Sequence, residues 1–383
     1  MNRLSGFRGR CTIRGRAGRA VLGVASACVM VLGMAGIGAG AAAADTVIDT
    51  IPVGEFPNGV AVSPFGFRAY VANAVDDSVS VIDTVTNTVV DTVTVGDFPL
   101  GVAVSPDGSR AYVTNRDDDS VSVINTFTNT VVDTVTVGDD PFGVAVTPDG
   151  SHVYVTNTTG APSVSVIQTV DNTVVTTVGV GTFPIGVAVT PDGSHVYVTN
   201  TGGDTVSVIQ TVDNTVVTTV GVGNGPLGVA VTRDGSRVYV GNNDDGTVSV
   251  IETAGNTVVD TVVGVGVGAA GVAVTPDGSR VYVADVGDDA VSVIETAGNT
   301  VIETIPVGGA PSFVALTPLG SRVYVTNSAD DTVSVIAVER CSGSLCLATG
   351  SLVGGGSTGS GGTGSLAGGG SLAGAGSAGS TGS

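Results

Sequence analysis

Short runs of Val, Thr, Ile and Ala recur along the chain and are separated by polar segments that contain Asp, Asn, Gly and Pro. One copy of the pattern has four such runs, at 101–104, 110–114, 120–124 and 130–137. The first two are joined by Ser-Pro-Asp-Gly, which has Pro and Gly where a type I turn prefers them. β-Branched residues between turn signals are typical of strands. The copy therefore predicts four short strands and no helix.

The tyrosines of the chain show how often this pattern repeats: Tyr70, Tyr112, Tyr154, Tyr197, Tyr239, Tyr282 and Tyr324. Successive tyrosines are 42 or 43 residues apart, so each marks the same position of one repeat. Four strands in roughly 42 residues is the size of a β-propeller blade. We therefore predict an all-β chain folded as a seven-bladed β-propeller of four-stranded antiparallel blades. An open β-solenoid is the alternative.

The two ends of the repeat region favour the propeller. Residues 45–53 match the fourth strand of a repeat, at 87–95, whereas the last repeat stops after its third strand, at 332–336. The ring is therefore predicted to close when the N-terminal strand supplies the outer strand of the last blade. Closure removes the exposed sheet edges that an open array would leave.

Composition divides the chain into a leader at 1–44, the propeller at 45–338 and a C-terminal segment at 339–383. The leader has six of the 14 basic residues, no acidic residue, an apolar stretch at 20–37 and then alanines up to Asp45. This order predicts a secretory signal peptide with cleavage near Ala44. A retained membrane anchor and a lipoprotein signal at Cys28 are the alternatives.

The C-terminal segment contains Cys341 and Cys346, which are predicted to form a small disulfide loop in an oxidising compartment. After Cys346 the chain is mostly Gly and Ser, a composition that buries too little apolar surface to fold. We predict that this part is a disordered extension.

Without the leader the chain carries eight basic side chains, all of them Arg, against 34 acidic ones. Nucleic acids and anionic lipids bind basic surfaces, so neither is an expected partner. No stable membrane span is expected after cleavage. No cofactor is predicted, although a chain this acidic would bind divalent cations weakly.

Four repeats carry the sequence Tyr-Val-Thr-Asn, at 112–115, 154–157, 197–200 and 324–327, and the other three carry close variants of it. On these residues, and on the adjoining Ser/Thr-Pro-Asp-Gly turns, the chain resembles the YVTN-repeat propellers. The resemblance covers 45–336 and implies the propeller fold. Its implications for function are broad, because such proteins include cell-surface and surface-layer proteins, lactonase-like hydrolases and redox-enzyme propellers.

Propeller topology places the loops on two faces, which we expect to differ in charge. Turns between first and second strands lie on the Arg/His face, named for one basic position in each blade: Arg68, Arg110, His152, His195, Arg237, Arg280 and Arg322. Turns between second and third strands lie on the opposite, Asp face, whose carboxylates are the predicted binding residues: Asp76, Asp77, Asp118, Asp119, Asp244, Asp245, Asp288, Asp289, Asp330 and Asp331.

These carboxylates have two interpretations, as turn stabilisers or as a surface for weak cation binding or for a basic partner. No catalytic or metal-ligating residue is predicted, and the histidines are interpreted as solvated charged residues. Several loops between blades place Phe next to Pro, at 56–57, 98–99, 141–142 and 183–184. We interpret these rings as packing between blades rather than as ligand platforms.

Repeat identity bears on function. Residues 163–181 and 205–223 differ only at the first position. Such copies present the same groups several times, whereas an active site needs one asymmetric cluster, so the pattern favours a scaffold or repeated weak binding. We therefore expect a secreted or cell-surface-associated monomer that acts as a binding or scaffold module for a protein or glycan through the Asp face. A metal-assisted, lactonase-like hydrolase and a purely structural surface component are the alternatives, and an enzyme is less favoured than a binding protein.

Overall fold

The computed structural model describes residues 44–339 and two short strands, Cys341–Ser342 and Leu345–Cys346. Residues 1–43, nearly all of the predicted signal peptide, and the Gly/Ser-rich extension after Cys346 lie outside the described residues. Within the described ranges the one helical segment is a single 3-10 turn, Thr201–Gly203. No helix in this part of the chain is long and apolar enough to cross a membrane.

The strands are numbered in chain order, beginning with β1, Thr46–Pro52. Blade 1 contains β2 to β5: Pro57–Val62, Arg68–Asn73, Ser78–Asp83 and Thr88–Thr94. Blade 2 contains β6 to β9: Pro99–Val104, Arg110–Asn115, Ser120–Asn125 and Thr130–Thr136. Blade 3 contains β10 to β13: Pro141–Val146, His152–Asn157, Ser163–Gln168 and Thr173–Gly179. Blade 4 contains β14 to β17: Pro184–Val189, His195–Asn200, Thr205–Gln210 and Thr215–Gly221.

The remaining blades follow the same plan. Blade 5 contains β18 to β21: Pro226–Val231, Arg237–Asn242, Thr247–Glu252 and Thr257–Val262. Blade 6 contains β22 to β25: Ala269–Val274, Arg280–Asp285, Ala290–Glu295 and Thr300–Pro306. Blade 7 contains β26 to β28, which are Pro311–Leu316, Arg322–Asn327 and Thr332–Ala337, together with β1.

Each blade is an antiparallel meander whose four strands pair in chain order, apart from blade 7. There β1 pairs with β28, so that the sheet has the order β1-β28-β27-β26. The predicted all-β, seven-bladed propeller, closed by the N-terminal strand, is confirmed.

The core lies between neighbouring blades rather than in one central mass. Each of the seven tyrosines is at most 1% exposed. In one interblade cluster, Tyr112, Val121 and Val123 of blade 2 pack with Val153 and Val155 of blade 3. Full burial of one such side chain contributes roughly 1.5–3 kcal/mol, so the blade interfaces supply most of the stabilisation.

The Tyr-Val-Thr-Asn segment ties each blade to the next one. The Tyr154 hydroxyl of blade 3 donates to Asn214 Oδ1 of blade 4 at 2.7 Å. The Thr156 hydroxyl donates to the Ile185 carbonyl oxygen, also in blade 4, at 2.9 Å. The Asn of the segment stays within its own blade and donates to two hydroxyl groups on the third strand. The motif therefore combines burial with hydrogen bonds that set the spacing of the blades.

Strands β29, Cys341–Ser342, and β30, Leu345–Cys346, pair so that Cys341 lies opposite Cys346. Residues directly opposite each other in an antiparallel pair have a Cα separation that a disulfide can bridge. The register is compatible with the predicted bond, which stays a prediction.

Candidate functional site

The central channel of the propeller has an apolar lining. It forms a cavity of about 160 Å³ between the first strands of the blades, lined by Gly, Val, Ile and Phe residues such as Gly101 and Ile185. Phe142 of blade 3 and Phe313 of blade 7 meet there, with ring centroids 6.3 Å apart. These lining side chains contain no oxygen or nitrogen, so they do not fit a metal ion and supply no general base.

The predicted Asp pairs hold the loops between blades in place. Asp76 Oδ2 accepts a hydrogen bond from the Glu55 amide at 2.8 Å, in the loop that enters the same blade. Asp77 Oδ1 accepts from the Phe98 amide at 2.9 Å, in the loop that enters blade 2. Asp77 has a φ of 49°, in the left-handed region that Asp tolerates better than most residues.

The same two contacts recur around the ring and involve most of the predicted binding residues: Asp118, Asp119, Asp245, Asp288, Asp289, Asp330 and Asp331. Asp244 precedes such a residue by one position, as Asp117 does in blade 2. These carboxylates therefore act as turn and loop stabilisers. A binding role for them stays a prediction.

Carboxylates crowd at the boundary between blades 1 and 2. The pKa of Asp97 is raised, first by the charge of Asp118 and then by the charges of Asp77 and Asp117. A bound cation would relieve this repulsion. In the described part of the chain, no group of three or more His, Cys, Asp or Glu side chains is arranged to hold a metal ion. Weak binding of divalent cations stays a prediction.

An aromatic pair with a guanidinium group lies beside these carboxylates. Phe56 and Phe98, from successive interblade loops, have ring centroids 6.5 Å apart. The Arg116 guanidinium carbon lies 3.9 Å from the centroid of the Phe98 ring, and Arg116 Nε donates to Asp117 Oδ1 at 2.7 Å. This surface thus holds a cation between an aromatic face and a carboxylate. We call Phe56, Asp97, Phe98, Arg116 and Asp117 the blade 1–2 patch.

The aromatic rings on the Asp face belong to residues with an unfavourable backbone conformation. Phe56, Phe98 and Phe183 have φ values of 54°, 55° and 54°. The equivalent positions in blades 5 and 6 are Gly225 and Gly268, for which a positive φ costs little. A left-handed residue other than Gly costs roughly 1–2 kcal/mol. Burial gives little in return, because Phe56 and Phe183 are 41% and 54% exposed.

The interpretation of these rings as packing between blades therefore holds in part for Phe56, whose ring contacts Phe98 of the next interblade loop, but not for Phe183, which is mostly exposed. Phe142 lines the channel instead. The sequence does contain a signal for the blade 1–2 patch. Arg116 occupies a position at which the other six repeats have an uncharged residue.

Each histidine on the Arg/His face follows a serine. Ser151 Oγ lies 2.8 Å from His152 Nδ1 and 2.8 Å from both carboxylate oxygens of Asp149. A serine nucleophile would give its proton to the imidazole, whereas this hydroxyl donates to the carboxylate. Hydrogen bonds from Thr147 and then from Ser151 lower the pKa of Asp149 to about 2. The same arrangement surrounds His195, so it stabilises a repeated turn and is not a catalytic triad.

The charge difference between the two faces is smaller than predicted. Turns on the Arg/His face also carry an aspartate in five blades: Asp107, Asp149, Asp192, Asp234 and Asp277. Each of these accepts a hydrogen bond from a Ser or Thr hydroxyl in its own turn. The Arg/His face is therefore mixed in charge, and the expected difference between the faces is reduced.

Blades 1 and 7 depart from this turn sequence. Phe65 and Phe67 of blade 1 occupy the positions of Asp107 and Ser109 in blade 2, and Leu319 occupies the Asp position in blade 7. The three apolar side chains are 68%, 63% and 79% exposed and border a cavity of about 310 Å³. They form an exposed apolar cluster at the boundary between blades 7 and 1.

Comparison with known proteins places this geometry in context. Among solved structures, the hydrazine synthase of Kuenenia stuttgartiensis is similar, with 24% sequence identity and a TM-score of 0.67. The alignment covers 74% of this chain and 96% of that chain. At this level of identity the likeness shows the fold alone. No curated protein has a significantly similar sequence.

A protein family described as "Lactonase, 7-bladed beta-propeller" matches the chain at residues 163–259 and again at 253–358. The two matches together span more than half of the 383 residues. The chain therefore belongs to this family of seven-bladed β-propellers.

Proposed function

We propose that the protein is a secreted or cell-surface-associated binding propeller that recognises basic side chains of a partner protein at the blade 1–2 patch. The observation that carries this proposal is the Arg116 guanidinium between the Phe98 ring and Asp117. A cationic group of a partner would likewise find an aromatic ring and a carboxylate: the ring of Phe56, which is exposed, and the carboxylate of Asp97, whose pKa is raised by neighbouring negative charges.

Two properties of the whole chain support the proposal. Without the leader, the excess of 34 acidic over eight basic side chains favours encounter with basic partners, most strongly at low ionic strength. The predicted signal peptide would export the propeller, and the resemblance to YVTN-repeat propellers, some of which are cell-surface proteins, agrees with a role outside the cell. Binding to a glycan is the competing outcome of the test below.

The test of the patch is the affinity for a hexa-arginine peptide, which calorimetry measures at low and at high salt. The variant Phe56→Gly/Phe98→Gly removes both rings, and Gly suits the left-handed backbone, as at Gly225 and Gly268. We expect the affinity to fall about two- to fivefold per ring, which corresponds to roughly 0.5–1 kcal/mol for an exposed cation–π contact.

Three control variants separate binding from other effects. Ala310→Gly makes the same backbone change without removing a ring, and should bind as the wild type does. Arg116→Ala removes the internal cation from Phe98 and should strengthen peptide binding. Asp97→Asn removes a carboxylate of the patch and should weaken binding, whereas Glu252→Gln removes the same charge on the Arg/His face and should not. Equal affinity of the wild type and the two-ring variant would exclude the patch, and capture of glycans without peptide binding would change the partner class.

The family match favours a second candidate, a lactonase-like hydrolase. The apolar channel lining supplies no catalytic group, so catalysis would have to use side chains of the loop faces. A panel of lactones, assayed with and without EDTA, tests this candidate. Turnover that is lost on chelation and restored by added metal would support it, and absence of turnover on every lactone would reject it.

A further inference from the structure

Asp45, next to the first strand of the ring, has a deeply buried side chain. The residue is 3% exposed, and its carboxylate accepts hydrogen bonds from three groups. Arg280 Nη1 donates at 3.0 and 3.1 Å, the Tyr282 hydroxyl at 2.5 Å and the Glu339 amide at 2.7 Å. The carboxylate therefore connects the start of β1 to blade 6 and to the segment after β28.

Other blades have an asparagine where blade 7 has Asp45. Asn214 and Asn256 accept a hydrogen bond from the tyrosine of the preceding blade, at 2.7 Å in both cases. Each of them lies in the turn between third and fourth strands and is followed by Thr, as Asp45 is followed by Thr46. In blade 7 no turn joins the third strand, β28, to the fourth strand, β1, and Asp45 occupies the position of the asparagine in that turn.

Among the described residues, the charges around Asp45 do not balance in the uncleaved chain. The carboxylates of Asp45 and Glu303 face one guanidinium in this part of the chain, that of Arg280. Glu303 Oε2 lies 3.3 Å from the backbone nitrogen of Asp45. Burial raises the pKa of Glu303, and the charge of Asp45 adds to this effect. A positive charge on the nitrogen of Asp45 would give two charges of each sign.

We propose that Asp45 is the first residue of the mature protein and that Glu303 binds the α-ammonium group created by cleavage between Ala44 and Asp45. Hydrolysis adds one water across this peptide bond, so that Ala44 receives the hydroxyl group as a carboxylic acid and Asp45 leaves as an amine. At neutral pH the amine takes up a proton. A nitrogen that donated one hydrogen becomes a cation with three, 3.3 Å from a carboxylate.

Four titratable groups in the described part of the chain face the new terminus. They are Arg280 and Tyr282 from β23, Glu303 from β25 and the carboxylate of Asp45. Burial raises the pKa of Tyr282, so this hydroxyl stays protonated. Burial lowers the pKa of Arg280, but the hydrogen bond with Tyr282 and the charge of Asp45 outweigh it and raise the pKa, so the guanidinium stays charged.

The sequence makes the test unusually direct, because it contains no lysine. The α-amine would be the one primary amine of the mature chain. N-terminal mass analysis of exported protein should identify Asp45 as the first residue. The pH dependence of acylation by an amine-selective reagent should then give a pKa above the ordinary value of about 7.7–8.0. Glu303→Gln should return the pKa of the α-amine to that range. Labelling at pH 7 should become about tenfold faster for each unit by which this pKa falls.

Glu295→Gln is the matched control, since it removes an exposed carboxylate of the same blade and should label as the wild type does. A different N-terminal residue, or labelling that does not change in Glu303→Gln, overturns the proposal. Thermal unfolding gives a second measurement, on chains that begin at Ala44 or at Asp45 after cleavage of a fusion partner. Both contain the whole ring, which residues 44–339 describe.

The chain that begins at Asp45 should have the higher Tm at pH 7. Because pairing raises the pKa of the amine in the folded state, its stabilisation is complete below about pH 8 and is lost as the pH rises through the folded-state pKa. The difference in Tm should also disappear in Glu303→Gln. Equal Tm values at pH 7 for the two wild-type chains would overturn the proposal.

Discussion

One residue of the repeat changes the electrostatics of blade 6. Six blades end the second strand with an asparagine, whereas blade 6 has Asp285, which is fully buried. Asp285 Oδ2 accepts a hydrogen bond from the Ser292 hydroxyl at 2.7 Å. Ala290 stands opposite it, where the other blades have a Ser or Thr hydroxyl. Burial raises the pKa of Asp285 to about 6, although hydrogen bonds from Ser292 and Gly266 oppose this effect, so at neutral pH the blade contains a carboxylate whose charge is disfavoured by burial.

We expect Asp285→Asn to stabilise the protein near neutral pH. Because the folded-state pKa of about 6 lies above the unfolded value of about 3.9, this carboxyl group favours folding below pH 4. That contribution is lost as the pH rises to about 6. Urea unfolding should show a gain of roughly 1–3 kcal/mol at pH 7.5 and almost none at pH 4.

The reverse substitution in blade 5, Asn242→Asp, is the control for Asp285→Asn. It should lower the stability with the same dependence on pH, because Asn242 is also fully buried. A loss of stability in Asp285→Asn at pH 7.5 would contradict this account of the site.

At the scale of single elements, the turn between the first and second strands shows a similar exchange. In blade 2, Asp107 Oδ1 accepts hydrogen bonds from the Ser109 amide at 3.0 Å and from the Ser109 hydroxyl at 2.9 Å. Blade 1 has Phe65 and Phe67 at these positions, and both rings are mostly exposed. The turn of blade 1 therefore lacks the bonds to an aspartate side chain that its neighbour has, although the Arg68 amide still donates to the Ser63 hydroxyl.

Restoring the repeat sequence with Phe65→Asp/Phe67→Ser should stabilise the protein. Two or three added hydrogen bonds at about 0.5–1.5 kcal/mol each, partly offset by lost ring contacts, give an expected gain of about 1–2 kcal/mol. Urea unfolding would measure it, with an unchanged m-value. Asp107→Phe/Ser109→Phe in blade 2 should lose a similar amount. If the blade 1 variant were less stable than the wild type, the two rings would contribute more by packing than the turn bonds do.

The elements could be predicted because seven repeats give the same local signals, and local signals fix strands and turns. The side-chain partners could not, because they belong to other elements. Asp77, for example, was recognisable as a turn residue, but its bond to the Phe98 amide crosses to the next blade. The contact of Phe142 with Phe313 spans the channel and depends on how the whole ring closes. The blade 1–2 patch was missed for the same reason.

For the whole molecule, closure of the ring was predictable and its consequence can be measured. Strands β1 and β25 have nearly the same sequence and the same place in their blades, as Thr-Val-Ile-Asp-Thr-Ile-Pro and Thr-Val-Ile-Glu-Thr-Ile-Pro. Ile51 and Ile305 are 3% and 4% exposed and pair with equivalent valines of β28 and β24. In the processed chain proposed above, β1 is held by the backbone at one end, whereas β25 is held at both.

We therefore expect Ile51→Ala and Ile305→Ala to lose similar free energy of unfolding, roughly 2–5 kcal/mol, because they remove the same buried methyl groups. Their hydrogen exchange should differ. A weakened β1 can separate from β28 without the rest of the ring, so Ile51→Ala should accelerate exchange in these two strands selectively. In Ile305→Ala, β25 is joined to the chain at both ends and cannot separate alone. Exchange in blade 6 should therefore accelerate only when neighbouring strands open together with β25. Identical exchange patterns would mean that β1 is held as firmly as β25. The non-covalent contacts of β1 would then be strong enough that the ring does not open first at this strand.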